Sequence, residues 1–455
     1  MAAGGSGFRR TFLVLLADVV VLAGFWWLIP EFKRPFEALM VVVFVLSVLT
    51  AIVARPRALK TFALLAASVS ATVFALEMGQ KFVNVVRLFD GRPAPARGDL
   101  PPLSFSTSDS STYFAARARA LADGADPEAF REDFAGDIFA GVPKSELRIR
   151  HSDRGDRIQT IVSLGDTPYL RDPPLGIEMR PGIRYREYAT VAKSPDLFLW
   201  DAEVNINRFG TRFTRGAEDA DDVRLFMGCS FVFGSYLSDH QTLPYYYSEL
   251  HGFAKRVVNT AIGGNGPHHS LRDLELYHRL GKSGIEPSQV KAVYFTLLRT
   301  HIDRVTSVFP PGSPRYELED GKAVYKGTFA DTGDLGRLGI MMERSRIYPI
   351  LRDRFSGEAG ESEVQLTYAI VARMAELCRE RFGVGLTIIN WWTESDSTER
   401  LREMGITVVP VTDVFGDDWS DRSVFFLLPD GHPSANANRL LAEHIYALEM
   451  QENHP

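Results

Sequence analysis

Apolar residues gather into three long blocks near the start of the chain, then disperse into short runs. Residues 11–29, 36–54 and 61–76 are almost continuous in Leu, Val, Ala and Phe. Each is close to the ~17–25 residues that cross a hydrocarbon core as a helix, so three membrane spans are predicted within 1–80. Trp26 and Trp27 stand near one end of the first block, where amphipathic rings favour the membrane interface. Arg9, Arg10, Arg55, Arg57 and Lys60 fall on one side of the spans, Lys33 and Arg34 on the other. That excess predicts a cytoplasmic N-terminus and places everything after about Met78 outside the cytoplasm. Arg9-Arg10 also resembles a twin-arginine export signal, but no small-residue cleavage site follows and two further spans do, so anchoring is the better account. Asp18 interrupts the first block. Ionisable residues there are expensive and often functional, and a helix partner or a thinned bilayer would account for it equally.

Beyond the spans the pattern changes twice. Residues 90–111 are polar and carry Pro93, Pro95, Pro101 and Pro102, which reads as a tether. Residues 112–141 have helical character, and short alternating runs such as Leu147 to Arg150 and Tyr185 to Val191 predict strands. Together, 81–200 is expected to be a linker and a small accessory region. From about Asn205, strand and helix signals alternate. Strands are predicted at 223–227, 256–259, 290–298, 385–392 and 406–411. Helices are predicted from the Thr242 cap to Leu250, at 270–280 and 366–382, and at 439–450 with Leu441, Ile445 and Leu448 on one stripe. Such alternation predicts an α/β domain over 201–455: a parallel sheet with helices on both faces, in three layers. Residues 309–361 interrupt it with Pro310, Pro311, Pro314 and many charges, either as a lid over the strand ends or as a surface excursion.

Composition narrows the function little. The 455 residues carry a formal charge of −6, with no basic excess to suggest nucleic acid. The two cysteines, Cys229 and Cys378, are expected as separate buried thiols, one at a strand end and one in a helix. No Cys/His spacing suggests a metal site, and no cofactor is expected.

Candidate chemistry lies in Gly228-Cys229-Ser230 with Gly234, directly after an apolar run, and in Asp430-Gly431-His432-Pro433 near the chain's end. A serine on a strand-to-helix turn, with a distant histidine and aspartate, is the residue set that activates a hydroxyl for acyl transfer. Asn207 to Arg212 precedes the strand, and Asn259-Thr260-Ala261-Ile262-Gly263-Gly264-Asn265-Gly266 follows the next one. These four motifs, in this order over about 200–450, resemble the SGNH/GDSL hydrolases. The resemblance implies Ser230 as nucleophile, His432 as base and Asp430 as its orienting carboxylate, with Asp418 and Asp421 as alternatives to Asp430. It also implies an oxyanion hole built from the serine N–H, the Gly264 N–H and an asparagine side chain, with Asn265 beside it. The chain departs from the family at two places. Cys229 replaces an aspartate. Arg299-Thr300-His301 stands where the family carries its asparagine, leaving Arg299, Thr300 or His301 to replace that donor.

The resemblance to membrane-anchored bacterial members implies an enzyme of the inner membrane with its catalytic domain in the periplasm. Such an enzyme would act on ester-linked acyl groups, with an acylated envelope glycan as the implied substrate. One alternative is an O-acyltransferase of the same fold, which would need a partner membrane protein to deliver the acyl group. Another is a degenerate envelope protein that binds through the old cleft.

Overall fold

The structure, a computed structural model, describes residues 43, 47 and 147–453 apart from 154–156, 165–167, 173–174, 192–193, 307–311, 333–359, 394–395, 417–424 and 428–430. The three apolar blocks therefore lie outside the described residues, except for Val43 and Ser47, both helical. Among the described residues, no helix is long and apolar enough to cross a membrane. Nearly all described residues belong to one compact unit, Gly91–Thr328 with Ala359–Pro455.

Six strands open that unit: β1 (Leu147–Asp153), β2 (Arg157–Leu164), β3 (Tyr169–Asp172), β4 (Gly176–Met179), β5 (Arg184–Val191) and β6 (Ser194–Asn205). Four of them pair antiparallel in the order β1-β2-β5-β6, while β3 and β4 form a separate hairpin. Tyr185, opposite Val204 in the β5–β6 register, is fully buried, and both belong to the same apolar cluster as Phe226 and Tyr294 of the following domain. The accessory sheet is thus fused to the next core. Strand β6 also runs through the expected boundary at residue 200.

The following strands are β7 (Val223–Met227), β8 (Arg256–Asn259), β9 (Val290–Leu297), β10 (Pro314–Glu319), β11 (Lys322–Thr328), β12 (Leu386–Asn390) and β13 (Thr407–Pro410). Five of them make a parallel sheet in the order β13-β12-β9-β7-β8. Alternation along each strand sends side chains to opposite faces. Leu225, Met227, Phe295 and Leu297 meet the long helix Glu361–Phe382 on one face. Phe226, Tyr294 and Ile389 meet helices Leu243–Leu250 and Ala435–Asn453 on the other. Burying each such aromatic or leucine contributes about 1.5–3 kcal/mol, and both faces need covering, which is why the strands read as apolar runs. Cys229 and Cys378 are free and buried, as expected, and they lie on opposite faces of the sheet; burial pushes the Cys378 thiol up to about 12.

One expectation needs correction and one gains detail. The helix expected over 270–280 is two, Pro267–Leu276 and His278–Lys282, broken where Tyr277 turns left-handed at φ 54°. Asp273 accepts from the Arg279 backbone and pairs with its side chain, which fixes the break. The 309–361 segment, expected as a lid or a surface excursion, is described at 312–332, where it is regular. It contains the hairpin β10–β11, turned at Asp320-Gly321. The Tyr316 hydroxyl donates to Glu275 at 2.7 Å, and the Arg272 guanidinium lies 3.7 Å from the Tyr325 ring centroid, so this hairpin packs on the helix layer.

Candidate functional site

In the parallel sheet the chain starts at β7, adds β8 on one side, then crosses to β9 on the other. Where consecutive strands leave in opposite directions, a crevice opens at their carboxyl ends, and ligands bind there in doubly wound folds. Ser230 is the third residue past β7. Gly228 (φ 149°) permits the exit, because an added Cβ would stand 3.2 Å from Val232 Cγ2 and 3.5 Å from Thr296 Cβ. Cys229 then takes an extended conformation, and Ser230–Phe233 forms a one-turn helix closed by left-handed Gly234. As the first helical residue, Ser230 has an N–H with no intrahelical acceptor. Its side chain is largely covered, with 8% of the residue exposed.

So short a helix cannot hold itself. Asn259, at the end of β8, donates from Nδ2 to Val232 O at 2.9 Å and accepts the Ala261 N–H at 3.1 Å. The chain then turns so that Gly263 faces the serine: a Cβ there would stand 3.8 Å from Ser230 Cβ and 3.6 Å from Ser235 Oγ. Gly264, the glycine singled out in the sequence, has open space at its Cβ position and φ 87°. Of the pair, Gly263 is the one beside the serine. Thr242 occupies its expected N-cap position, but its hydroxyl donates back to Asp239 O at 3.0 Å and makes no cap bond.

His432 lies in a short antiparallel pair, β14 (Phe426–Leu427) with β15 (His432–Pro433), which packs against the serine turn. Its imidazole is half-buried between two aromatic rings: Phe231, centroid 5.4 Å away, and Tyr236, 4.9 Å away and edge-on. These rings flank the segment that begins at Ser230, so histidine and serine are brought to one place across two hundred residues of chain. Trp391, after β12, backs Phe231 at 5.2 Å, and Trp200 of β6 backs Tyr236 at 4.4 Å. Ser434, just past the histidine, caps the last helix by accepting the Ala437 N–H. Asp430, Asp418 and Asp421 lie outside the described residues.

The third motif follows β9. Arg299 is half-buried, Thr300 is exposed and His301 is fully buried at the start of helix Thr300–Arg304. His301 Nδ1 accepts the Leu298 N–H at 3.3 Å. A neutral ring with Nδ1 as acceptor carries its proton on Nε2. That nitrogen is buried and meets no acceptor among the described residues. Burial holds the ring well below the usual histidine range, so it stays a neutral donor.

Beside it are two histidines that no sequence motif singles out. His268 and His269 are both buried, with ring centroids 4.0 Å apart. His269 Nδ1 accepts the Gly266 N–H, and its Nε2 sits 3.1 Å from Ser313 Oγ. Both nitrogens of His268 lack partners among the described residues, as does Asn265 Oδ1. Burial, helped by the nearby Arg304 charge, pushes His268 down to about 3. The two-residue step His268-His269 in a helix first turn was the available signal, and it carries no chemistry until the fold buries it. Among the described residues, no group of His, Cys, Asp or Glu is placed to hold a metal ion.

Chemically, the arrangement offers a hydroxyl at a helix N-terminus, an imidazole on the same side and backbone N–H groups around Gly263. The chain matches no family model and no curated protein.

Proposed function

We propose that the chain is an SGNH-like serine esterase or acyltransferase, anchored in a bacterial inner membrane with its α/β domain on the outer side. The observation that carries this reading is Ser230 at the topological switch point, with the imidazole of His432 bracketed beside it by Phe231 and Tyr236. In the proposed reaction, Ser230 Oγ attacks the ester carbonyl carbon and its proton passes to His432. The tetrahedral oxyanion forms near the Ser230 and Gly263 backbone, where one preorganised donor is worth about 3 kcal/mol. Collapse breaks the ester C–O bond, and His432 returns the proton to the departing alcohol. Water or an acceptor hydroxyl then takes the acyl group from Ser230 by the reverse sequence. An acylated envelope glycan is the substrate implied by resemblance.

The test is fluorophosphonate labelling and aryl acetate hydrolysis by the full chain in detergent. Labelling at Ser230 that disappears in Ser230→Ala supports the reading; equal labelling in both defeats it. Acetyl release to water, against transfer to added oligosaccharide, separates hydrolase from transferase. A binding-only protein is the second reading, favoured by Arg299-Thr300-His301 at the third motif, where no asparagine supplies a donor. Full cellular function in variants of both Ser230 and His432 would decide for it.

A further inference from the structure

We propose that Arg212 is a positioning residue for the Ser230–His432 pair, acting through the 233–239 loop and the ring of Tyr236. This rests on the serine-hydrolase reading for its activity arm only.

Among the described residues, Arg212 is the largest side chain to be fully buried, at 1% exposure. Its backbone bridges Ile206 and Asn259, which places it at the edge of β8 beneath the serine turn. All three guanidinium nitrogens are engaged on one short stretch. Nη1 donates to Phe233 O at 2.9 Å and Gly234 O at 2.8 Å, Nη2 to Leu237 O at 2.5 Å, and Nε to Asp239 Oδ1 at 3.1 Å. The guanidinium carbon also lies 4.7 Å from the Phe233 ring centroid. These carbonyls include those closing the Ser230 helix, which the helix itself cannot satisfy. With Asn259 on Val232 O, side chains from outside hold the whole carboxyl side of the serine turn.

The loop so held carries a strained residue. Tyr236 sits at φ 69°, a left-handed conformation that a bulky residue adopts at a cost of order 1 kcal/mol or more. Such strain persists only where the surroundings over-determine it. Arg212 fixes the residues on both sides of Tyr236, and β6 fixes the loop's far end. The Glu203 N–H donates to Ser238 Oγ at 3.1 Å, and Asn205 gives its side chain and backbone N–H to Asp239 at 2.7 and 3.3 Å. Trp200 of the same strand backs the Tyr236 ring, whose edge meets the His432 imidazole. Arg212 is therefore a single buried hub joining the serine turn to the ring that braces the histidine.

Arg212→Ala would strand the Asp239 carboxylate in the interior and can fail to fold, so the test uses two milder variants of the full chain. Arg212→Lys keeps the charge but cannot reach three carbonyls and a carboxylate at once. Tyr236→Asn keeps a residue that tolerates the left-handed backbone and removes the ring. Each is compared with wild type in melting temperature, in aryl acetate kcat and KM, and in the rate of His432 carbethoxylation by diethylpyrocarbonate, read by mass spectrometry. The expected result is a kcat lowered about 10–100-fold with KM within about twofold, as small misplacements of reacting groups produce. A several-fold change in His432 carbethoxylation should accompany it in both variants, at near wild-type melting. Unchanged kcat and unchanged His432 reactivity in both folded variants would overturn the proposal. So would a kcat loss that tracks melting temperature alone and leaves His432 reactivity as in wild type. If wild type itself shows no Ser230-dependent turnover, the hydrolase reading fails, while the carbethoxylation arm still decides whether Arg212 and Tyr236 place the imidazole.

Discussion

Two of the buried polar clusters in the α/β domain are built on opposite principles. Beneath the last helix, Glu449 accepts from Tyr247, Tyr294 and Arg224, with His251 Nε2 3.2 Å away. The two tyrosines and the arginine all reach that carboxylate, only His251 Nε2 failing to make a hydrogen bond, and the contacts hold the carboxyl down at about 2 despite its burial. At the carboxyl ends of β8 and β9, by contrast, His268, His301 and Asn265 keep buried nitrogen and oxygen atoms without partners among the described residues. Buried polar groups are normally hydrogen-bonded, and clustered exceptions need a cause. The first cluster ties Ala435–Asn453 to the sheet. The second, which begins two residues past Gly263, is left unsatisfied among the described residues.

The largest expected effect separates the two by activity. Ser230→Ala and His432→Ala should each lower kcat by about 10⁴-fold or more while moving the melting temperature little, since neither holds an element in place. Glu449→Gln should leave kcat near wild type. A Glu449 variant that loses activity at full stability would erase the division between a structural and a working cluster.

A second separation is in pH. His268 titrates at about 3 in the folded chain against 6.5 ordinarily, and burial lowers His269 and His301 in the same direction. The unfolded chain therefore binds protons that the folded chain refuses. Stability is fully present above about 6.5 and is lost as pH falls below it, by about 1.4 kcal/mol per pH unit for each histidine. Glu449, lowered from 4.5 to about 2, has its stabilisation intact until pH drops below about 4.5. Urea titrations at pH 8, 6 and 5 should already show a loss that Glu449→Gln does not alter. A flat profile from pH 8 to 5 would mean that the histidines are not held neutral.

Glu449→Gln itself should lower stability at pH 7 by about 1–3 kcal/mol, because Arg224 keeps Asp222 but loses one of its two carboxylates and the tyrosines lose a charged acceptor, measured as a shift in the urea midpoint. The same variant should flatten the acid limb below pH 4.5. A loss under 1 kcal/mol would show that the tyrosines and arginine can find water instead.

How much of this was legible follows the same division. Strands β7 and β8 were read to the residue, because short apolar runs bounded by polar residues can sit only inside a covered sheet. Ser230 and His432 stand out in the sequence by residue type and neighbours, not by spacing, and the fold sets the His432 ring against Phe231, next to the serine. The break at Tyr277 was not, since an Asp273–Arg279 contact overrides a helical pattern without a local glycine. The hairpin β10–β11 did carry a signal: Asp320-Gly321 between alternating residues is a two-residue hairpin turn, masked by the prolines before it. Which of Gly263 and Gly264 faces the serine depends on a turn the sequence leaves free. The role of Arg212 depends on where four carbonyl and carboxyl oxygens converge, which no motif records.

The smallest expected effect is the sharpest test of the unsatisfied cluster. His268→Leu replaces a buried ring that has two unpartnered nitrogens with an apolar side chain of similar size. Leaving a buried polar atom unmade costs about 1–3 kcal/mol, so removing it should hold or raise the melting temperature by a few degrees, where most core substitutions lower it. The histidine-dependent loss below pH 6.5 should shrink by one proton's share in the same variant. If melting instead falls as for an ordinary core residue, His268 is paired in solution, with water or a bound polar group filling the space between it, His301 and Asn265. The second cluster would then be as saturated as the first.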